Sequence, residues 1–158
     1  MKNVHRPLIG WREWVCLPGL GISHLKAKID TGARTSCLHA FKLQQYHIDG
    51  QLMVSFGIHP MQGNLEEKIY CEAPVYDERL VTDSGGHVED RLVITSDIII
   101  GDRQWPIEIT LTNRDTMKFR MLLGRTGLKN HFLVVPDASY LTGNKPLKRK
   151  RKLNEAKP

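Results

Sequence analysis

One carboxylate in this chain stands in a setting suited to acid–base work. Asp30 closes a run in which Leu25, Ala27 and Ile29 alternate with Lys26 and Lys28, and Thr31 and Gly32 follow it at once. Such alternation is the pattern of a strand with one buried face, and Thr-Gly turns the backbone sharply at its end. The carboxylate is thereby placed on a rigid support. One carboxylate alone hydrolyses an amide poorly, because activating water needs a base and releasing the nitrogen needs an acid. Two carboxyls held roughly 3 Å apart do both, since like charges that close share one proton instead of both ionising. The chain holds a single Asp-Thr-Gly, so the second carboxyl has to come from a twofold partner. The expected site is therefore also an expected homodimer.

Other chemistries find less in the sequence. There is no His-Glu-x-x-His, and Cys37, His39 and His47 lack a fourth ligand at zinc-finger or zincin spacing, so no metal is assigned. No Gly-x-x-x-x-Gly-Lys-Ser/Thr loop is present, so neither ATP nor any other cofactor is expected. Cys16, Cys37 and Cys71 are an odd number at wide spacing, and residues 1–7 are polar and basic, unlike a secretory leader. This fits a cytoplasmic protein. No apolar run approaches the ~20 residues that span a bilayer, so no membrane role is expected. The net charge of +6 favours acidic partners, but much of it sits in residues 145–152. That run could touch RNA, DNA or the ribosome through phosphates, although it lacks interleaved aromatics.

The elements that must position Asp30 read as short strands. Residues 11–17 form one, closed by Pro18-Gly19-Leu20-Gly21, and the next carries Asp30. Residues 34–40 continue with β-formers toward the turn Asp49-Gly50, and residues 52–58 and 68–76 follow as strands, Pro74 marking an edge or an end. Residues 79–82 and 87–94 flank Asp83-Ser84-Gly85-Gly86, a tip composition that calls for positive φ and makes this hairpin the candidate flap. Residues 97–100 and 105–111 give another hairpin, residues 118–123 another strand, residues 124–130 one short helix and residues 132–135 a last strand. At 158 residues and 18.1 kDa this is one mostly all-β domain, a barrel or sandwich, over residues 1–140. Residues 141–158 are expected to be a basic, disordered tail.

Asp30-Thr31-Gly32-Ala33 with the later Leu122-Leu123-Gly124 resembles the retropepsin-like aspartic peptidases, in which the second segment passes behind the catalytic loop. Ile9-Gly10-Trp11-Arg12-Glu13, the stretch from Lys26 through Thr35, Leu111-Thr112-Asn113-Arg114 and Met121-Leu122-Leu123-Gly124-Arg125 are similar to a bacterial and archaeal branch commonly labelled ATP-dependent zinc protease. The resemblance implies a closed barrel with one short helix near the C-terminus and a flap carrying Ser84, Gly85 and Gly86. It makes Asp30 catalytic, has Thr31 brace the paired loops across the dimer, and has Gly32 allow their close approach. Ala33, Leu123 and Gly124 become supports.

Some members of the similar family are associated with ribosomal-protein modification and removal of glutamate tails. Viral retropepsins usually carry an acidic or small residue where this chain has Arg34, so Arg34 and Arg125 are expected to bind an anionic substrate. The expectation is thus an aspartic-type peptidase cleaving peptide or isopeptide-like amides of acidic, glutamate-rich substrates. One rival is a zinc-dependent peptidase. The other is a non-catalytic β-barrel binding module, associated with ribosome or RNA, that keeps the Asp30 loop only as structure. The bland account of Arg34, Arg120 and Arg125 is a solvated face.

Overall fold

The computed structural model describes residues 5–83, 85–113 and 118–143. In chain order they form β1 (Leu8–Ile9), β2 (Arg12–Leu17), a 3-10 turn (Pro18–Leu20), β3 (Ile22–Ile29), β4 (Ser36–His39), β5 (Phe41–Ile48) and β6 (Gln51–Ile58). There follow β7 (Ile69–Pro74), β8 (Asp77–Thr82), β9 (Val88–Ile100), β10 (Arg103–Thr112), β11 (Met121–Leu123), the short helix α1 (Arg125–Leu128) and β12 (Leu133–Val134). The described residues are mostly β, as the turn spacing predicts, and the α-helix among them falls within residues 124–130.

Six strands bond in a ring. β10 lies parallel to β4, β4 antiparallel to β11, β11 parallel to β3 and β3 antiparallel to β2; β2 meets β9 at Cys16 and Ile99, and β9 pairs back onto β10. β8 hangs on the outer edge of β9, and β5, β6 and β7 make a separate three-stranded sheet. The alternation that marks the strands sends Val15, Leu17, Ile22, Leu25, Ala27, Ile94, Ile98, Ile109 and Leu111 into one core. Full burial of each large aliphatic side chain is worth roughly 1.5–3 kcal/mol, so the ring is held chiefly by its inner face.

Several local readings are corrected. The two runs read as 87–94 and 97–100 are one thirteen-residue strand, β9, because every residue from Val93 to Ile100 has a partner on β10 and the ladder continues across the polar Thr95, Ser96 and Asp97. The β-rich stretch after Ala33 is divided: β4 belongs to the ring, and β5 turns away at Phe41 to pair with β6. The turn at Asp49 and Gly50 is where composition puts it, with φ of 49° and 82°. Only Met121–Leu123 of the predicted strand over 118–123 is extended. Arg120, read as part of a solvated face, is buried and donates from Nε to the His59 carbonyl at 3.1 Å.

Glu13 is another charge turned inward. It is fully buried, and its carboxylate accepts from the Gly10, Leu141 and Thr142 amides and the Thr142 hydroxyl at 2.6–3.2 Å. The bonded structure therefore runs two residues past Tyr140. The basic run 145–152 lies outside the described residues. No helix among the described residues is long and apolar enough to cross a membrane.

Candidate active site

The site is built where β3 ends. The Asp30 amide donates to the Leu123 carbonyl at 2.9 Å, extending the parallel β3–β11 ladder by one bond beyond Ile29 and Leu123. The chain then turns: the Ala33 amide donates to the Asp30 carbonyl at 3.2 Å, and the Gly32 amide to Asp30 Oδ1 at 3.0 Å. One carboxylate oxygen is thus held by the loop's own backbone. Asp30 is half-buried, while Thr31 and Gly32 are exposed at the tip.

The second segment locks this loop from behind. β11 is inserted between β3 and β4, and the chain leaving it donates the Arg125 amide to the Ala33 carbonyl and the Thr126 amide to the Arg34 carbonyl, each at 2.9 Å. Such an approach needs a residue without a side chain. A Cβ on Gly124 would lie 2.7 Å from the Thr35 carbonyl carbon and 3.0 Å from the Ala33 oxygen, both backbone atoms. The Gly124 amide is satisfied by the Oγ of the buried Ser36 at 3.1 Å.

Ser36 was not singled out from sequence, and neither were Gly127 and Trp105. Gly127 packs against Leu123 and Ser36, with a Cβ there falling 2.9 Å from Leu123 Cδ1, and its carbonyl accepts from Trp105 Nε1 at 3.0 Å. A glycine inside a predicted helix costs stability, and that cost was the available signal of close packing.

Asp30, Thr31, Gly32, Ala33, Leu123, Gly124 and Arg125 are therefore brought together. The Arg125 guanidinium lies over the loop, donating from Nη1 to the Thr31 carbonyl at 3.0 Å, whereas Arg34 is exposed. The candidate flap is the β8–β9 hairpin. Its tip is shaped by Asp83, whose Oδ1 accepts the Gly85 and His87 amides at 2.9 Å, and by Gly86 at φ 83°. Ser84 lies outside the described residues.

Among the described residues no group of three or more His, Cys, Asp or Glu is gathered to hold a metal. Cys37 and His39 are buried on β4, and His47 is exposed on β5. What the arrangement offers chemically is a half-buried carboxylate on a loop fixed at both ends, next to amides and one arginine.

Comparison with known proteins places the chain among relatives over most of its length. The family model described as RimB-like, retropepsin-like aspartic endopeptidase RimB, matches residues 8–145. A protein of Parasynechococcus marenigrum named probable alpha-L-glutamate ligase is 43% identical over 137 residues, 87% of this chain and 29% of the relative. Proteins of the same name from Shewanella halifaxensis and Desulfotalea psychrophila are 43% and 39% identical, covering 86% and 85% of this chain and 30% and 29% of the relatives. The chain thus spans less than a third of the length of these relatives. A crystal structure of a Legionella pneumophila protein of unknown function superposes with a TM-score of 0.71 at 24% identity, covering 87% of this chain and 99% of the other. That likeness is one of fold.

Proposed function

Because the chain belongs to the RimB-like family of retropepsin-like aspartic endopeptidases, we propose that it hydrolyses peptide or isopeptide-like amide bonds with a dyad made of Asp30 and the Asp30 of a second copy. The observation that carries this reading is the double anchorage of the Asp30 loop, to its own Gly32 amide and to β11 through Leu123. A catalytic carboxylate has to be preorganised in this way.

In the dyad one carboxylate takes a proton from water as the water attacks the amide carbon. The protonated partner hands its proton toward the developing tetrahedral oxygen. Collapse of that intermediate breaks the C–N bond: one carboxyl gives its proton to the leaving nitrogen while the other carboxylate takes a proton from a hydroxyl of the tetrahedral intermediate as its C=O reforms, so the pair returns to one shared proton. One turnover uses two carboxyls and one water, and each chain supplies a single Asp-Thr-Gly.

The substrate proposed is acidic and glutamate-rich, met in the cytoplasm. Exposed Arg34 at the loop and the glutamate chemistry in the relatives' names support this. The test is hydrolysis of a glutamate-rich peptide by wild type and by Asp30→Asn, with and without chelator. The substitution should lower the rate by about 10²-fold or more, and chelation should leave it alone. An active Asp30→Asn protein, silenced by chelator and revived by zinc, would move the assignment to the metal-dependent rival.

A further inference from the structure

β3 runs straight into Asp30, and its outward face bears on the site. Side chains two apart on a strand share a face, so Lys26 and Lys28 stand on the side opposite the buried Ala27 and Ile29, with Asp30 next in that row. The register sets Arg12 of β2 directly across from Lys28, and Trp14 across from Lys26. On the other flank Lys28 pairs with Leu122 of β11, which is half-buried. The face beside the carboxylate is therefore two cations and one apolar side chain.

The three cations of this face, these two and Lys26, are not equivalent. Arg12 is fixed: Nε donates to Ser139 Oγ at 3.1 Å, and the guanidinium lies 4.7 Å from the Trp11 ring centre and 5.0 Å from that of Tyr140. Lys26 lies 5.3 Å from the Trp14 ring centre and reaches Gln62 Oε1 at 3.4 Å. Lys28 is exposed and, among the described residues, takes part in none of the ion pairs, side-chain hydrogen bonds or ring contacts. Like charges directly opposite on neighbouring strands destabilise a sheet, so the fold gains nothing from placing Lys28 across from Arg12. An anionic ligand would.

Building on the peptidase reading of Asp30, we propose that Lys28, backed by Arg12, is a specificity-determining subsite for the side-chain carboxylate of a glutamate beside the scissile bond. Two residues of strand span about 7 Å, which is also the repeat between same-side side chains of an extended peptide. A substrate carbonyl over Asp30 thus places a neighbouring side chain level with Lys28. The lysine supplies a charge-assisted hydrogen bond, Arg12 adds field from a fixed position, and Leu122 offers apolar contact to the glutamate methylenes. Single-stranded RNA fits less well: Trp14 is flanked by Tyr140 at 6.0 Å and by Lys26, and Arg12 lies against both Trp11 and Tyr140, so these rings already have partners where a base would stack.

The test measures binding to the inactive Asp30→Asn protein, so that it does not depend on turnover. Glutamate-rich and glutamine-rich peptides of equal length are titrated into it, with and without Lys28→Gln, and with Lys68→Gln as a control for net charge. Lys28→Gln should reduce the preference for the glutamate-rich peptide about tenfold, and Lys68→Gln should not. Lys28→Glu should reverse it toward a lysine-rich peptide. An unchanged preference in both Lys28 variants, no preference in the parent, or stronger binding of an oligouridylate of equal charge would each overturn the subsite. Failure of the peptidase reading shows separately, as hydrolysis that survives Asp30→Asn.

Discussion

The amide of Asp30 and the carbonyl of Leu123 are joined by a 2.9 Å hydrogen bond across 93 positions of sequence. It is the last rung of the parallel β3–β11 ladder, so any displacement of the second segment is passed to the carboxylate. The first two predictions follow from that coupling.

Gly124→Ala should impair the site more than it impairs the fold. The new methyl meets backbone of Thr35 and Ala33, which cannot rotate away. Overpacking of this kind costs roughly 1–3 kcal/mol. A melting temperature lowered by several degrees, with hydrolysis lost well below that temperature, is the expected result; full activity would show that the loop does not depend on this approach.

Ser36→Ala removes the acceptor of the Gly124 amide in a fully buried position. An unsatisfied buried donor costs about 1–3 kcal/mol. Denaturant unfolding should show that loss, and Ser36→Thr should restore part of it only if the added methyl clears Gly127.

The buried carboxylate of Glu13 holds the segment through Thr142 against β2. Glu13→Gln turns donors toward donors and should destabilise by about 2 kcal/mol or more. A chain ended at Tyr140 should unfold more easily than one ended at Gly143, as read by midpoint denaturant concentration. Equal midpoints would deny the clamp a role in stability.

Burial, aided by the nearby Arg103, pushes the His131 imidazole below its usual value of 6.5. The ring stacks on Trp105 at 4.1 Å, and Trp105 holds the Gly127 carbonyl behind the site. A depressed histidine contributes stability that is complete above pH 6.5 and lost as pH falls through the folded pKa. Thermal melts between pH 7.5 and 5 should show a decline that His131→Phe makes shallower; an unaltered slope would place the decline elsewhere.

Much of this architecture was legible because strands with one buried face announce themselves by alternation, as residues 25–29 and 107–111 do. What escaped had no period to show. β1 is two residues long and exists only by pairing with β12, which falls inside the last strand expected over residues 132–135. Arg120 looked like a surface charge because sequence reports the charge and not the partner that draws it inward, and nothing in the pattern marked Glu13 for burial. In the site, Asp30, Gly32 and Gly124 carried a motif, while Ser36, Gly127 and Trp105 act through packing and single hydrogen bonds set only by the fold. Lys28 was visible as one half of an alternation, and its register with Arg12 was not.

The proposed hydrolysis depends on a catalytic pair drawn from two chains, and subunit mixing tests that pair most directly. Wild-type protein is exchanged or refolded with increasing excess of Asp30→Ala, exchange being verified with differently tagged chains, and hydrolysis of a glutamate-rich peptide is expressed per wild-type chain. Heterodimers hold one catalytic carboxyl, so that value should fall steadily toward zero as the inert chain is added. A value that stays constant would contradict the composite site and leave each chain complete on its own.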